Sequence, residues 1–292
     1  METQGLGRRK FIAGAAMGAW FAAASAAAAA TVSSPPVVGA KGGRLRIAPL
    51  TDPQLGFGVA RKTFEENYAA DLERLERAIA LVNSLKPDIA LVTGDMTHRA
   101  GDVAKDWPRL LELFKMPVAV APGNHDLGNR VEKENLARYR SVFGADRKAF
   151  DLKGWRIVAV NTQFLFGTNL KDEKARYGEW IAAELKNAEK YRGRVILAGH
   201  YPPFTDSINE KDAYENFPRK IRTAKLESYL AAGAKFYLAG HTHRFAARGF
   251  GELTILNAET TSNSFDRRPF GFRMFEVDDN MDYSYRFVRV RA

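Results

Sequence analysis

Residues 118–126 read VAVAPGNHD, a short apolar run followed by a polar turn that contains glycine. The apolar part has the length and the β-branched content of a buried strand. Gly123 permits a sharp turn, so the side chains of Asn124 and His125 are free to point into a site directly after the strand. The stretch therefore predicts a strand that ends at a functional cluster.

The same arrangement recurs along the chain. Strands are predicted at residues 45–50, 89–93, 195–198 and 236–238. They end at polar turns that contain Asp52-Pro53-Gln54, Gly94-Asp95, Gly199-His200 and Gly240-His241-Thr242-His243. Ligands of open α/β sheets bind at the carboxyl ends of strands, so we expect these turns to converge in space.

Helical periodicity separates several of these strands. The predicted helices are residues 64–85, 107–114, 172–190 and 219–232. A hairpin is predicted at 149–161, and strands alone follow residue 250, at 252–256, 272–277 and 283–290. Alternating elements with a strand-rich tail predict an α/β protein with layered mixed sheets flanked by helices.

Composition restricts the chemistry. The chain has 292 residues and no cysteine, so metal ligands must be carboxylate, amide or imidazole groups. The net charge of +10 would attract an anionic phosphate ester, nucleic acid or acidic lipid, although a merely basic surface explains it equally well. No basic run is interleaved with aromatic residues, so we expect no stable nucleic-acid partner.

Four of the five histidines follow predicted strands in turns that contain glycine: His125, His200, His241 and His243. One such histidine alone would usually be structural, and one aspartate after a strand would usually cap a helix or form a turn. Together with the aspartates and Asn124, the histidines form a set of oxygen and nitrogen donors, which suits Mn, Fe, Zn or Mg.

In order, the motifs are Asp-x-Gln, Gly-Asp, Gly-Asn-His-Asp, Gly-His and Gly-His-Thr-His. This series resembles the calcineurin-like metallophosphoesterases, whose motifs are Asp-x-His, Gly-Asp, Gly-Asn-His-Asp or Glu, His, and Gly-His-x-His. The resemblance runs from Leu45 onward. It implies a layered α/β/β/α metallophosphoesterase sandwich that holds two metal ions.

The resemblance also implies a role for each motif residue. The first metal ion would be bound by Asp52, Gln54 and His243, the second by Asn124, His200 and His241, with Asp95 bridging both. His125 would face the substrate, and Asp126 would orient the His125 ring. His98 is expected to be a neighbour of the site rather than a ligand.

Gln54 departs from the family pattern because it stands where a histidine is usual. An amide oxygen is a neutral and harder ligand than an imidazole nitrogen, so the first site should be weaker and should favour Mn or Mg over Zn. The Asp-Pro-Gln opening resembles a branch that contains a eukaryotic serine/threonine phosphatase.

The resemblance implies hydrolysis of phosphate esters by a hydroxide that bridges two divalent metal ions and attacks phosphorus. The phosphatase-like branch favours monoesters, with Mn or Fe as the metals and Zn or Mg as alternatives. The alternatives are a phosphodiesterase or nuclease that acts on nucleotides or nucleic acid, and a non-catalytic metal-binding scaffold. Substrate choice is expected to depend on loop 201–218 and on turn 260–269, whose two arginines would either grip phosphate or stay in solvent.

The N-terminal residues resemble an export signal. Arg8 and Arg9 precede an alanine-rich apolar run that ends in small residues near Ala30. The predicted organisation is a twin-arginine (Tat-type) signal peptide at 1–30, a flexible leader at 31–43 and a phosphoesterase domain at 44–292. We therefore expect a periplasmic protein with no membrane span in the mature chain, and an uncleaved membrane anchor is the alternative.

Overall fold

The structure is a computed structural model that describes residues 43–58, 63–191 and 193–291. The predicted signal peptide lies outside these ranges, and so does the predicted leader except for Gly43. In the part of the chain that is described, no helix is both long enough and apolar enough to cross a membrane.

Two mixed sheets form the centre of the fold. The strands of the first sheet are β1 (Leu45–Leu50), β2 (Ile89–Thr93), β3 (Val118–Ala121), β10 (Gly271–Val277) and β11 (Tyr283–Arg289). Their order is β11-β10-β1-β2-β3, in which β1, β2 and β3 are parallel and β10 pairs antiparallel with β1. All three parallel strands therefore end at the same edge of the sheet.

The second sheet has six strands. They are β4 (Lys148–Leu152), β5 (Trp155–Ala159), β6 (Val195–Ala198), β7 (Ala234–Ala239), β8 (Ala246–Phe250) and β9 (Leu253–Asn257). Their order is β4-β5-β6-β7-β9-β8, with β5, β6, β7 and β9 parallel and an antiparallel strand at each side.

The helices are α1 (Phe64–Leu85), α2 (Val103–Leu113), α3 (Asn124–Leu127), α4 (Lys133–Phe143), α5 (Lys171–Ala188) and α6 (Arg219–Ala231). The start of α1 is fixed by a capping box, in which Thr63 Oγ1 accepts from the Glu66 amide and the Glu66 carboxylate accepts from the Thr63 amide.

Alternate side chains along the strands enter two separate cores. In β1, Leu45 and Ile47 pack with side chains of both sheets, whereas Ala48 and Leu50 belong to the larger core that includes the helices. The cluster that contains Leu45 also includes Trp155 and other side chains of the second sheet. The two sheets are thus packed face to face, and the predicted layered fold is confirmed.

The sequence did not predict α4 or β8. Only Leu136 and Tyr139 are buried in α4, so its apolar stripe is too narrow to stand out. Strand β8 is a half-exposed edge strand without a continuous apolar run. The predicted turn after β3 in fact begins a helix, because Asn124 is the first residue of α3.

Candidate metal centre

All seven predicted metal ligands are buried, and they lie beyond the carboxyl ends of strands from both sheets. Asp52, Asp95 and Asn124 come after or at the ends of the parallel strands of the first sheet, whereas His200, His241 and His243 follow β6 and β7 of the second. Gln54 lies two residues beyond Asp52. The centre is therefore at the junction of the two sheets.

One group of donors has His200 at its centre. His200 Nε2 is 3.3 Å from Asp95 Oδ2, 3.0 Å from Asn124 Oδ1 and 3.0 Å from His241 Nδ1. Donor atoms of Asp95, His200 and His241 all lie within 4.8 Å of one another, which is compact enough to hold one metal ion. These residues are the ones predicted for the second metal ion and the bridge.

A second group lies beside the first. His243 Nε2 is 3.5 Å from Asp52 Oδ1, and this oxygen is 3.7 Å from His200 Nδ1. Among the described residues, Asp52 Oδ1 and Gln54 Oε1 have no hydrogen-bond partner although both are buried. A buried oxygen without a partner costs free energy, so these two atoms fit ligands of a cation.

Each predicted histidine ligand has its far ring nitrogen next to a backbone carbonyl. His200 Nδ1 is 2.9 Å from the carbonyl of Thr93, and His241 Nε2 is 3.1 Å from that of Tyr214. His243 Nδ1 bonds the carbonyl of Asn263 in the same way. Because a carbonyl only accepts, each of these nitrogens donates, and the opposite nitrogen is directed toward the donor group, as metal-binding histidines require.

The buried carboxylates and imidazoles around His200 shift one another's pKa values. Burial disfavours a charged His200, but the carboxylates of Asp95 and Asp52 outweigh burial and raise the pKa of His200 to about 9. Burial and the charge of His200 lower the pKa of His241 to about 3. Burial alone would raise the pKa of Asp95, yet His200 holds it well below its usual range. The two carboxylates thus favour a positive charge at the position of His200, which is where a bound cation would lie.

Backbone conformation at the ligands is uncommon. Five of the predicted ligands have φ between +36° and +68°, the left-handed region that non-glycine residues rarely adopt: Asp52, Gln54, Asp95, His241 and His243. Such conformations cost free energy and concentrate at functional sites. They also explain how neighbouring residues such as His241 and His243 both reach the centre.

Two glycines of the motifs are required by close approach. A Cβ atom on Gly123 would be 2.1 Å from Asp95 Oδ1, and one on Gly240 would be 2.4 Å from Asp52 Oδ2. Real Cβ atoms essentially never approach another atom within 3.0 Å. The absence of a side chain at these positions therefore lets the carboxylates lie against the neighbouring strand ends.

His125 lies beside the donor groups and is partly exposed, unlike the ligands. Its backbone amide donates to Asp95 Oδ1 at 2.9 Å, and its Nδ1 is 2.9 Å from the carbonyl of His98. The ring of His98 stacks on that of His125, with centroids 4.9 Å apart and planes at 29°. As predicted, His98 is a neighbour of the site.

The prediction that Asp126 orients the His125 ring is corrected by these contacts. Asp126 Oδ1 accepts from the Met96 amide and Asp126 Oδ2 from the Gly123 amide, each at 2.8 Å. Burial and the charge of Asp95 raise the pKa of Asp126 to about 7. The carboxylate thus joins two strand ends, and the His98 carbonyl is the partner of His125 Nδ1.

Loop 201–218 reaches the centre through Tyr214. The Tyr214 hydroxyl accepts from Asn124 Nδ2 at 2.7 Å, and its ring centroid is 4.9 Å from that of His241. Two polar side chains hold the loop. Glu210 accepts from the amides of residues 205, 206 and 207, and the buried guanidinium of Arg222 donates to carbonyls of residues 208, 210 and 217.

Turn 260–269 reaches the other side of the centre through an aromatic ring rather than through arginines. Phe265 stacks on His243, with centroids 4.5 Å apart and planes at 11°. It also meets Phe57 edge-on at 5.9 Å. Arg268 pairs with Asp266 at 3.0 Å. Neither Phe57 nor Phe265 could be identified from the sequence, because neither ring belongs to a periodic segment.

A sequence model of calcineurin-like phosphoesterases matches residues 45–245, which include all seven predicted metal ligands and His125. The chain belongs to the calcineurin-like phosphoesterase family. Members of this family are metal-dependent hydrolases of phosphoric esters, and the donor groups described above are of the kind that such an enzyme needs.

Curated relatives carry names of both phosphatases and diesterases. The serine/threonine-protein phosphatase CPPED1 of Bos taurus is 26% identical over 243 residues, which cover 77% of this chain and 78% of the relative. The probable cyclic nucleotide phosphodiesterase of Vesicomyosocius okutanii is 25% identical over 215 residues, or 70% of this chain and 84% of the relative.

Among solved structures, a dimetal phosphatase from Danio rerio has a TM-score of 0.59 and 14% identity, and the match covers 85% of this chain and 96% of that one. At this identity the likeness concerns the fold, which is the layered sandwich predicted from the sequence.

Proposed function

We propose that the protein is a phosphomonoesterase that uses two divalent metal ions, manganese or iron, and acts in the periplasm after export by the twin-arginine route. The observation that carries the catalytic part is that the donors form two adjacent groups joined at Asp52 Oδ1, which is 3.5 Å from His243 Nε2 and 3.7 Å from His200 Nδ1. The first group holds Asp52 and His243, to which we add Gln54 because its buried Oε1 has no hydrogen-bond partner, and the second holds Asn124, His200 and His241 around Asp95.

Two divalent ions bound in these groups would neutralise the phosphoryl oxygens and lower the pKa of a water molecule. The protein itself would supply proton transfer through His125. Because His125 Nδ1 donates to the His98 carbonyl, Nε2 is the atom free to exchange a proton with the leaving oxygen. His98, stacked on the ring, keeps this orientation.

The preference for monoesters rests on the similarity to relatives named as serine/threonine-protein phosphatases, of which the one from Bos taurus covers 77% of the chain. A diesterase is the second candidate, since a relative named as a probable cyclic nucleotide phosphodiesterase matches over most of its own length. Manganese or iron is proposed because all ligands are oxygen or nitrogen donors and Gln54 supplies an amide in place of an imidazole.

The catalytic proposal is tested with matched chromogenic esters. Protein stripped of metal is assayed on p-nitrophenyl phosphate and on bis(p-nitrophenyl) phosphate, with and without added Mn²⁺ or Fe²⁺. We expect turnover that depends on metal, with kcat/KM higher for the monoester. A higher value for the diester would favour the second candidate, and a folded protein inactive with every divalent metal would contradict both.

The proposed location is tested separately. Replacing Arg8 and Arg9 by lysine should keep the protein in the cytoplasmic fraction of cells in which the wild-type protein is periplasmic. Periplasmic recovery of the variant at the wild-type level would contradict the twin-arginine route.

A further inference from the structure

Exposed aromatic rings flank the metal centre. Among the described residues, four large hydrophobic side chains are classed as exposed, and two of these, Tyr214 and Phe265, are at the centre. They are 55% and 50% exposed, so each keeps about half of its surface in water. Large apolar groups left in water beside a site commonly mark a surface that a ligand covers.

Phe265 has one occupied face and one open face. His243 lies parallel to the ring at 4.5 Å and covers one face, and Phe57 contacts its edge. The exposed half of Phe265 therefore includes the face directed away from His243. An aromatic ring supported in this way is a rigid stacking surface that loses little conformational entropy when a ligand binds.

Tyr214 is held beside the second donor group, whereas Phe265 lies beside His243 of the first. Its hydroxyl bonds to Asn124, and its backbone carbonyl accepts from His241 Nε2. The network around Glu210 and Arg222 fixes the loop that carries it. Tyr214 thus remains in place although more than half of it is exposed.

We propose that Tyr214 and Phe265 form an aromatic subsite at the mouth of the centre, which binds a planar aromatic group carried by the alcohol part of the phosphate ester. Phe265 stands beside a first-metal ligand and Tyr214 beside a second-metal ligand, so a phosphate held between the two groups has a ring on either side. An aromatic group on the ester stacks on these rings, whereas an aliphatic ester leaves them in water. The subsite rests on the proposed function, because its ligand is the substrate of that centre.

A matched substrate pair tests the subsite. Adenosine 5′-monophosphate and ribose 5-phosphate release the same kind of primary alcohol and differ by the planar base. We expect kcat/KM to be about 5- to 100-fold higher for the nucleotide, which is the range that stacking of a base on aromatic rings provides. Equal values for the two substrates would overturn the inference and leave the phosphatase proposal intact.

Variants of Phe265 and Tyr214 test whether these two rings cause the preference for the nucleotide over ribose 5-phosphate. Phe265→Ala should reduce the ratio of the two kcat/KM values several-fold, and Phe265→Trp should retain it. Tyr214→Phe keeps the ring and should also retain the ratio, whereas Tyr214→Ala should reduce it. Because the ratio is the readout, a general loss of activity caused by disturbing His243 or Asn124 cancels.

The control is Tyr283→Ala, which removes a 46% exposed aromatic side chain that packs against Phe236 and Phe275 rather than at the centre. It should leave the ratio at the wild-type value. A ratio that stays high in both Phe265→Ala and Tyr214→Ala would overturn the assignment to these rings.

A binding measurement separates failure of the subsite from failure of the proposed function. Saturation-transfer difference NMR detects weak contact of adenosine, which carries no phosphate, with the metal-free protein. We expect a signal from the base protons with the wild-type protein and a clear reduction with Phe265→Ala. This measurement tests the subsite even if neither ester is hydrolysed, because an equal signal for the wild-type and Phe265→Ala proteins would overturn the subsite.

Discussion

Replacing Gly123 by alanine should disrupt metal binding with a minimal chemical change. The new Cβ atom would be 2.1 Å from Asp95 Oδ1 and 2.5 Å from the Asp95 backbone nitrogen, and both contacts must lengthen to at least 3.0 Å. Rotation of the Asp95 side chain relieves only the first contact, because the second involves the backbone. The turn after β3, which contains Gly123, and the turn after β2, which contains Asp95, must therefore move apart.

The required displacements, 3.0 minus 2.1 or 0.9 Å at Asp95 Oδ1 and 3.0 minus 2.5 or 0.5 Å at the Asp95 backbone nitrogen, reach or exceed what a metal site tolerates. Ligand atoms must be held within roughly 0.2–0.5 Å of their productive positions. We therefore expect Mn²⁺ affinity to fall by at least about 10–100-fold, the loss typical of disturbing the support of a ligand. Overpacking should also lower the free energy of unfolding by about 1–3 kcal/mol.

Isothermal titration of Mn²⁺ into metal-stripped protein measures both affinity and stoichiometry. Gly249→Ala is the matched control, because a Cβ atom there has no neighbour within 4 Å and the residue lies in β8. Thermal unfolding without metal shows whether Gly123→Ala is folded. A folded Gly123→Ala protein that binds Mn²⁺ with wild-type affinity and stoichiometry would refute the reasoning.

Three further predictions concern the centre and the periphery. His125→Ala should lower kcat by about 10²–10⁴-fold with unchanged metal content. Asp95→Asn should instead lose bound metal, as measured by elemental analysis. If both variants lost activity and metal to the same extent, the roles assigned to the two residues would be contradicted. Gln54→His should raise the affinity for Zn²⁺ relative to Mn²⁺ in chelator competition, and an unchanged ratio would show that position 54 does not set metal preference. Hydrogen bonds from Arg140 lower the pKa of Glu173 to about 2 from 4.5, so this carboxylate stabilises the fold above pH 4.5 and the contribution is lost as pH falls toward 2. Because Glu173 is 23% exposed, Glu173→Gln should cost only about 1 kcal/mol at pH 7 and much less near pH 2, and urea denaturation that shows the same cost at both values would be inconsistent with this linkage.

Convergence of the ligands was predictable because it follows from sheet geometry. Each motif comes after a strand, and parallel strands in one sheet present their carboxyl ends at one edge. Asp95 comes after β2 and Asn124 after β3, and because these strands are parallel neighbours, both residues lie at the same edge of the sheet. That ligands of the second sheet, such as His200, meet them was expected from the family resemblance, because sheet geometry alone does not determine how the two sheets pack.

The role of Asp126 could not be inferred from its place next to His125. At the start of α3 the chain folds back, so the Asp126 carboxylate accepts from the Gly123 amide three residues earlier. The contact that does orient His125 comes from a backbone carbonyl, that of His98, and carbonyls carry no sequence signal. Phe265 likewise depends on long-range pairing, because its turn is attached near Asp52 through the Thr260 hydroxyl.

The position of the centre between the two sheets determines when the protein can acquire its metals. Asp52 follows the first strand of the fold and His243 follows the seventh, so a chain shorter than 243 of the 292 residues lacks part of the first site. The metal ions therefore bind a chain whose synthesis is almost complete, and the compartment in which folding is completed determines which metal ions are available. On the twin-arginine route that we propose, this compartment is the cytoplasm, and the protein would reach the periplasm with a metal selected under cytoplasmic conditions.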